Sequence, residues 1–473
     1  MLAVIDETSG DCSWLLERDV DVREARWSPD RSQLAWVQDS PGTQRHRMQL
    51  WLQGSDGGMR RLAPELVSIS DLTWSPDCRY IAVAGNTVEG ASQSFPYLVD
   101  VGSGEPGRLH GIELAIPACL HWRAEDSLLL LQALSGDQRI VRVAVDDGSV
   151  TPVLARDHEQ VLSFAAGPAG LACVLAGAVT GPHLIVCDER GEGSRNQGKF
   201  NAWQQQRPTV NVQRRQFDVP DGQGGRETID GWLLLPEGEG PFPLLLDMHG
   251  GPHSHVIFEL GSHVHWPVLV GQGWAVLALN TVGSDSYGEA FADRLRGRWG
   301  ELDLPQYAVA VQSLREEGIA GDTAVFGHSY GGFLAAWALA EQMLVVAGVI
   351  SAGVLDQRSH TGTSDTGWYV GPYAMVGQPH EVPQTYARLS PVRRAHRFQA
   401  PTLILQGEDD LRCPKGQAQQ LFSALVGAGK TPTRLVLFPG GNHHVATTGR
   451  PSHRETWYGQ LVDWLQAHRS RPG

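Results

Sequence analysis

One sentence of residues is written twice near the start of the chain. Arg26-Trp-Ser-Pro-Asp-Arg-Ser-Gln-Leu-Ala-Trp-Val returns as Thr73-Trp-Ser-Pro-Asp-Cys-Arg-Tyr-Ile-Ala-Val-Ala, then in weaker form as His121-Trp-Arg-Ala-Glu-Asp-Ser-Leu-Leu-Leu-Leu, and fainter still around Phe164. The anchors Trp27, Trp74, Trp122 and Phe164 lie 47, 48 and 42 residues apart, the span that one four-stranded propeller blade requires. Between them run alternating segments such as Met48-Gln-Leu-Trp-Leu and Arg139-Ile-Val-Arg-Val, closed off by turn residues such as Asp146-Asp-Gly. A repeated unit that cannot bury its own apolar face must stack on its neighbours, so this region is predicted to be an all-β propeller of four to five blades, complete or incomplete. The W-S-P-D unit is read as the joint between the first two strands of a blade and the tryptophans as blade core. Unpaired strand-like segments precede the repeats at Met1–Asp6 and Ser13–Arg18.

After a polar stretch, Glu192-Gly-Ser-Arg-Asn-Gln-Gly-Lys, the pattern changes. Apolar runs (Leu244-Leu-Leu-Asp-Met; Trp274-Ala-Val-Leu-Ala-Leu; Pro401-Thr-Leu-Ile-Leu) alternate with helical segments at Gln306–Glu317, Gly416–Gly427 and Arg454–Ala467. Continuous apolar strands separated by helices indicate a doubly wound, mostly parallel α/β sheet. With 473 residues, more than one core usually serves, the chain divides into a propeller domain at 1–200 and an α/β domain at 201–473.

Within the second half, Gly327-His328-Ser329-Tyr330-Gly331-Gly332 follows a short buried run, Thr323–Phe326, and precedes the alanine-rich Tyr330–Gln342. Among 55 glycines the bare G-x-S-x-G spacing is a weak signal, but strand, turn and helix in order describe a nucleophile elbow, which makes 201–473 an α/β-hydrolase domain. A serine hydroxyl needs a base, and the base an orienting carboxylate; on such a sheet both follow the serine, acid first. Two strand-end loops answer: Gly407-Glu-Asp-Asp-Leu-Arg-Cys-Pro and Pro439-Gly-Gly-Asn-His-His. Spacing leaves Glu408, Asp409 and Asp410 open, and likewise His443 and His444.

The C-terminal half resembles the catalytic domain of the prolyl oligopeptidase family of serine peptidases, in wording its acylaminoacyl peptidase branch. The resemblance rests on His249-Gly-Gly-Pro-His, Asn280 with Gly283-Ser and Tyr287-Gly-Glu, Trp299-Gly, the elbow, Gly362-Thr-Ser-Asp, the acid loop and His443. In that family a propeller precedes the hydrolase domain. The resemblance implies Ser329, Asp410 and His443 as catalytic residues and the backbone N–H groups of Gly251 and Tyr330 as the oxyanion hole, where fixed donors meet developing charge. It also implies Arg412 near the substrate's backbone carbonyl, and Trp368, Tyr369 and Tyr373 around the residue before the scissile bond. Val282 and Gln406 depart from the arginine and histidine usual at their positions. The propeller is short for the family, and the paired glutamates of dipeptidyl peptidases are not found.

A net charge of −14 argues against nucleic acid or an anionic membrane as partner. Met1-Leu-Ala-Val-Ile-Asp-Glu lacks the basic and apolar regions of a signal peptide, and the six scattered cysteines read as free thiols, so a cytoplasmic location is expected. His253, His255, His263 and His265 match no structural zinc spacing, and no metal or cofactor is expected. The functional expectation is a serine peptidase hydrolysing short peptides through an acyl-enzyme, with access gated by the propeller. The alternatives are an esterase, amide hydrolase or peptide cyclase acting on one small metabolite, and an idle propeller binding protein, which the intact serine, acid, histidine and glycine loop disfavours. Oligomeric state is left open, a homo-oligomer included.

Overall fold

The computed structural model describes residues 2–5, 8–16, 20–115, 120–124, 126–207, 210–258 and 260–469; Cys119, like Met1, Asp6, Glu17 and Arg18 of the N-terminal segments, lies outside them. Two compact units are present. The first takes Met1–Arg156, Val161–Leu175 and Leu184–Gln197, the second Asp157–Gln160, Ala176–His183 and Gly198–Gly473.

The first unit is the expected run of four-stranded β-sheets. After a two-stranded ribbon (Leu2–Ile5, Cys12–Leu16), four sheets follow in chain order, beginning at Val22–Trp27, Ser68–Trp74, Leu120–Ala124 and Glu159–Gly167. The recurrence of Ser-Pro-Asp has a local cause. Ser28 Oγ donates to Asp30 Oδ1 (2.6 Å) and accepts from Gln33 N–H (2.9 Å); Ser75 repeats this with Asp77 (2.6 Å) and Tyr80 N–H (2.9 Å). The turn between the first two strands is thus closed by side chains that compete for backbone donors. The tryptophans stitch consecutive sheets: Trp74 Nε1 donates to Arg26 O (3.1 Å) and Trp122 Nε1 to Thr73 O (3.3 Å). Trp27 departs from the expected core role and is 49% exposed: among the described residues, the element before its sheet is the two-stranded ribbon, which has no four-stranded face to receive it.

The second unit is built on one eight-stranded sheet. Its strands are β1 (Asn211–Pro220), β2 (Arg226–Leu235), β3 (Phe242–Met248), β4 (Ala275–Leu279), β5 (Ala320–His328), β6 (Ala347–Ser351), β7 (Thr402–Gly407) and β8 (Thr433–Phe438), in the order β1-β2-β4-β3-β5-β6-β7-β8. β1, β2 and β4 pair antiparallel; from β4 through β8 every pair is parallel. The helices used below are α1 (His265–Gly271), α2 (Asp303–Glu316), α3 (Tyr330–Ala340), α4 (Gly367–Met375), α5 (Lys415–Ala428) and α6 (Pro451–His468). Alternate residues enter opposite cores: Leu244, Leu246 and Val325 on one face, Leu245, Ala324 and Phe326 on the other. This two-sided burial is why the strands read as unbroken apolar runs. Gln160 belongs to this unit by its bonds, donating to Val256 O (2.9 Å) and accepting from Phe258 N–H (2.7 Å). Among the described residues no helix is long and apolar enough to cross a membrane.

Candidate active site

β5 delivers Ser329 at the C-terminal edge of the sheet, where strand ends of an open α/β fold present their chemistry. Ser329 holds φ 60° and ψ −120°, a conformation a side-chain-bearing residue adopts only under compulsion. The compulsion comes from both sides: Ser329 N–H donates to Ser351 O at the end of β6 (2.9 Å), and Phe333 N–H donates to Ser329 O to start α3 (3.0 Å). A side chain on Gly331 would collide with the carbonyl of Met248, and one on Gly327 with the backbone of Gly331. The glycines of G-x-S-x-G therefore let α3 pack directly onto β3. That helix is buried on every side, as its apolar composition requires.

The acid loop follows β7. Asp410 is 2% exposed; its Oδ1 accepts from Cys413 N–H (2.8 Å), and its Oδ2 accepts from His443 Nδ1 (2.8 Å) and Gln406 Nε2 (3.2 Å). Asp409 is exposed and Glu408 half-buried, so of the three carboxylates it is Asp410 that meets a histidine. Since a carboxylate only accepts, His443 carries its proton on Nδ1, which leaves Nε2 as the acceptor nitrogen of the ring. Gln406 Nε2 also donates to Cys413 O (3.0 Å) and Gly407 O (3.1 Å), tying the ends of the acid loop together. The acid and histidine loops are joined by Glu408 N–H to Phe438 O (3.1 Å) and Asp409 N–H to Gly441 O (2.9 Å).

Several contacts bring these loops to the elbow. His443 packs on His328, the residue before the serine, with ring centroids 4.6 Å apart; His444, which is exposed, lies at 6.3 Å. The Cys413 thiol is buried, and that burial pushes it well above the usual thiol range. Sequence reasoning does not single out Cys413; the signal for it is its place three residues after Asp410. Burial holds His328 well below the ordinary histidine range, so it stays neutral beside His443 while its Nδ1 meets Ser351 Oγ at 3.1 Å.

The glycine loop after β3 lies against the serine. A Cβ on Gly250 would stand 3.5 Å from Ser329 Cβ, and Gly251 adopts φ +122°, open only to glycine. His249 braces the loop, its Nε2 meeting Ser284 Oγ at 3.0 Å. Tyr330 is the first residue of α3, so its N–H is outside the helix's own ladder. Its side chain is a buried anchor, donating through the hydroxyl to Asp303 and packing edge-on against Trp299 at 4.8 Å. Burial pushes Asp303 up to about 6.

The residues assigned to substrate contact have different settings. Arg412 is half exposed and bound to Asp365, Nε to Oδ1 at 2.8 Å; its carbonyl accepts from Ser364 Oγ (2.7 Å) and meets His360 Nε2 (3.0 Å). On α4, Trp368 is 46% exposed and edge-on to the half-buried Tyr369 at 5.2 Å. Tyr373 is buried; its hydroxyl donates to Asp293 Oδ1 (2.9 Å), Arg296 covers its ring, and His253 lies 5.9 Å away. Asp247, His263 and His265 form a separate cluster of potential metal ligands beneath the glycine loop.

Residues 262–471 match the model of the prolyl oligopeptidase family. The chain is similar to the uncharacterized peptidase YuxL of Bacillus subtilis (34% identical over 253 residues, 51% of this chain and 37% of that protein). It is also similar to dipeptidyl-peptidase 5 of Porphyromonas gingivalis (28% over 262 residues, again 51% and 37%). The alignments thus span little more than a third of either relative. Among solved structures, the acylaminoacyl peptidase of Pyrococcus horikoshii superposes with a TM-score of 0.83 at 21% identity, covering 100% of this chain and 75% of that one. A Mycobacterium tuberculosis puromycin-hydrolyzing peptidase superposes at 0.71 and 18%, covering 98% and 82%. These likenesses show the fold.

Proposed function

We propose that the chain, whose residues 262–471 match the prolyl oligopeptidase family, is a serine peptidase hydrolysing short peptides through an acyl-enzyme. The observation that carries the reading is the 2.8 Å bond between His443 Nδ1 and buried Asp410, with the His443 ring packed on His328, the residue before the strained Ser329.

His443 Nε2 takes the proton as Ser329 Oγ adds to the scissile carbonyl carbon, and Asp410 stabilises the imidazolium so formed. The negative charge moves to the carbonyl oxygen, where the N–H groups of Tyr330 and Gly251 receive it. The imidazolium returns its proton to the departing amine as the C–N bond breaks, leaving an ester on Ser329. Water, deprotonated by His443, then cleaves that ester and restores the serine. In this reading Arg412 offers a donor to a substrate carbonyl, while Trp368, Tyr369 and Tyr373 line the approach of the residue before the cut.

One observation favours a second reading with the same chemistry. Arg412 is already paired with Asp365, and a neutralised guanidinium is a weaker clamp for an extended peptide, which suits hydrolysis of an amide or ester in a small metabolite. A panel of N-acetyl peptides, free-amine peptides, internally quenched peptides and p-nitrophenyl esters separates the two. Cleavage of peptides of several residues supports the peptidase; ester turnover with no peptide cleaved at any length overturns it in favour of the small-molecule hydrolase.

A further inference from the structure

Under the glycine loop, three side chains converge that the proposed chemistry does not use. Asp247 stands one residue before the end of β3, buried; His265 opens α1 and is wholly buried; His263 precedes it by two residues. Asp247 Oδ2 lies 2.8 Å from His265 Nε2 and 3.6 Å from His263 Nδ1, and one ligand atom from each of the three falls within 4.8 Å of the others. A tetrahedral ion with bonds of about 2.0–2.1 Å sets its ligand atoms about 3.3 Å apart, a value the two measured separations bracket.

Hydrogen bonding alone leaves this cluster unfinished. Nδ1 of His263 is buried without a hydrogen-bond partner among the described residues, held 3.6 Å from a carboxylate oxygen, beyond useful hydrogen-bond length. A buried donor or acceptor left in that state is costly. Trp266 Nε1 donates to the same Asp247 oxygen, the kind of outer contact that fixes a ligating carboxylate. Asp247 and His263 also open onto a cavity of about 230 Å³, lined further by His249, Gly250 and His328, which has room for water as a remaining ligand. The signal is hidden in sequence because the carboxylate comes from a strand and the imidazoles from the entry to a helix.

We infer that Asp247, His263 and His265 form a binding site for a divalent transition metal of the zinc class, with an open position facing the cavity behind the elbow. Two imidazoles and one carboxylate suit zinc or its borderline neighbours and not magnesium or calcium, which take oxygen.

The test is on tag-free, full-length protein stripped with chelator. Titration with Zn²⁺ by calorimetry and with Co²⁺ by visible absorption is expected to give one equivalent per chain. His263 lies partly at the surface, so His263→Gln is expected to fold and to weaken binding by about 100-fold or more, whereas His380→Gln, an exposed control, leaves it unchanged. Absence of stoichiometric binding at micromolar metal, or unchanged affinity in His263→Gln, overturns the site. If that variant does not fold, X-ray absorption of the zinc-loaded wild type decides: two imidazoles with oxygen support it, and any other first shell overturns it.

Discussion

Ser329, His443 and Asp410 are proposed to act as one unit, and their losses should not add. Ser329→Ala and His443→Ala are each expected to lower kcat by about four powers of ten or more, and the double variant by no more than the worse of the two. Steady-state kinetics on the best peptide of the panel checks this; near-normal turnover in His443→Ala with loss in His444→Ala would move the base to the neighbouring residue. Gln406 tests positioning. Its Nε2 donates to Asp410, Cys413 and Gly407, so Gln406→Leu should strand buried acceptors and cost about 1–3 kcal/mol in stability, with kcat falling more than KM rises. Gln406→His, which restores a donor, should recover much of both. At this scale legibility is uneven. The serine stands out because strand, turn and helix surround it, whereas three adjacent carboxylates cannot be told apart by spacing. Burial distinguishes them, and burial of a loop residue depends on how Gln406 and Cys413 fold the loop back.

Between elements, glycines separate required close approach from accident. Gly331→Ala should force α3 away from β3, because a methyl would meet the Met248 carbonyl; a loss of at least about 3 kcal/mol is expected. Gly459, exposed in the middle of α6 with nothing within 4 Å of where a methyl would stand, should behave oppositely: Gly459→Ala is expected to gain about 0.5–1 kcal/mol. Urea midpoints of the two variants check both signs. The four β-sheets and the α/β alternation are readable because their causes are local: Ser28 and Ser75 close their turns within five residues, and the parallel strands are apolar on both faces. The exposed Trp27 is not readable, since a tryptophan's burial depends on the neighbouring sheet and not on its own motif.

For the whole chain, pH should act through buried histidines. Burial lowers His360 to about 4 from an ordinary 6.5, and also lowers His249, His253, His265 and His328. The unfolded chain binds these protons first, so stability is full above about 6.5 and is lost as pH falls toward 4. Asp303, raised to about 6, opposes this, gaining stability as pH falls through that value. Asp71, which burial also raises to about 6, opposes it in the same way; with two such carboxylates against several imidazoles, Tm is expected to fall on acidification, and to fall less in His360→Gln, which keeps a donor for Arg412 O; thermal melts across this window check it. The central claim is that Ser329 is an activated nucleophile. Fluorophosphonate labelling of the folded protein, with the modified peptide mapped by mass spectrometry, tests it most directly. Modification of Ser329 alone, abolished in Ser329→Ala, is the predicted result; no label, or label on another residue, would contradict it.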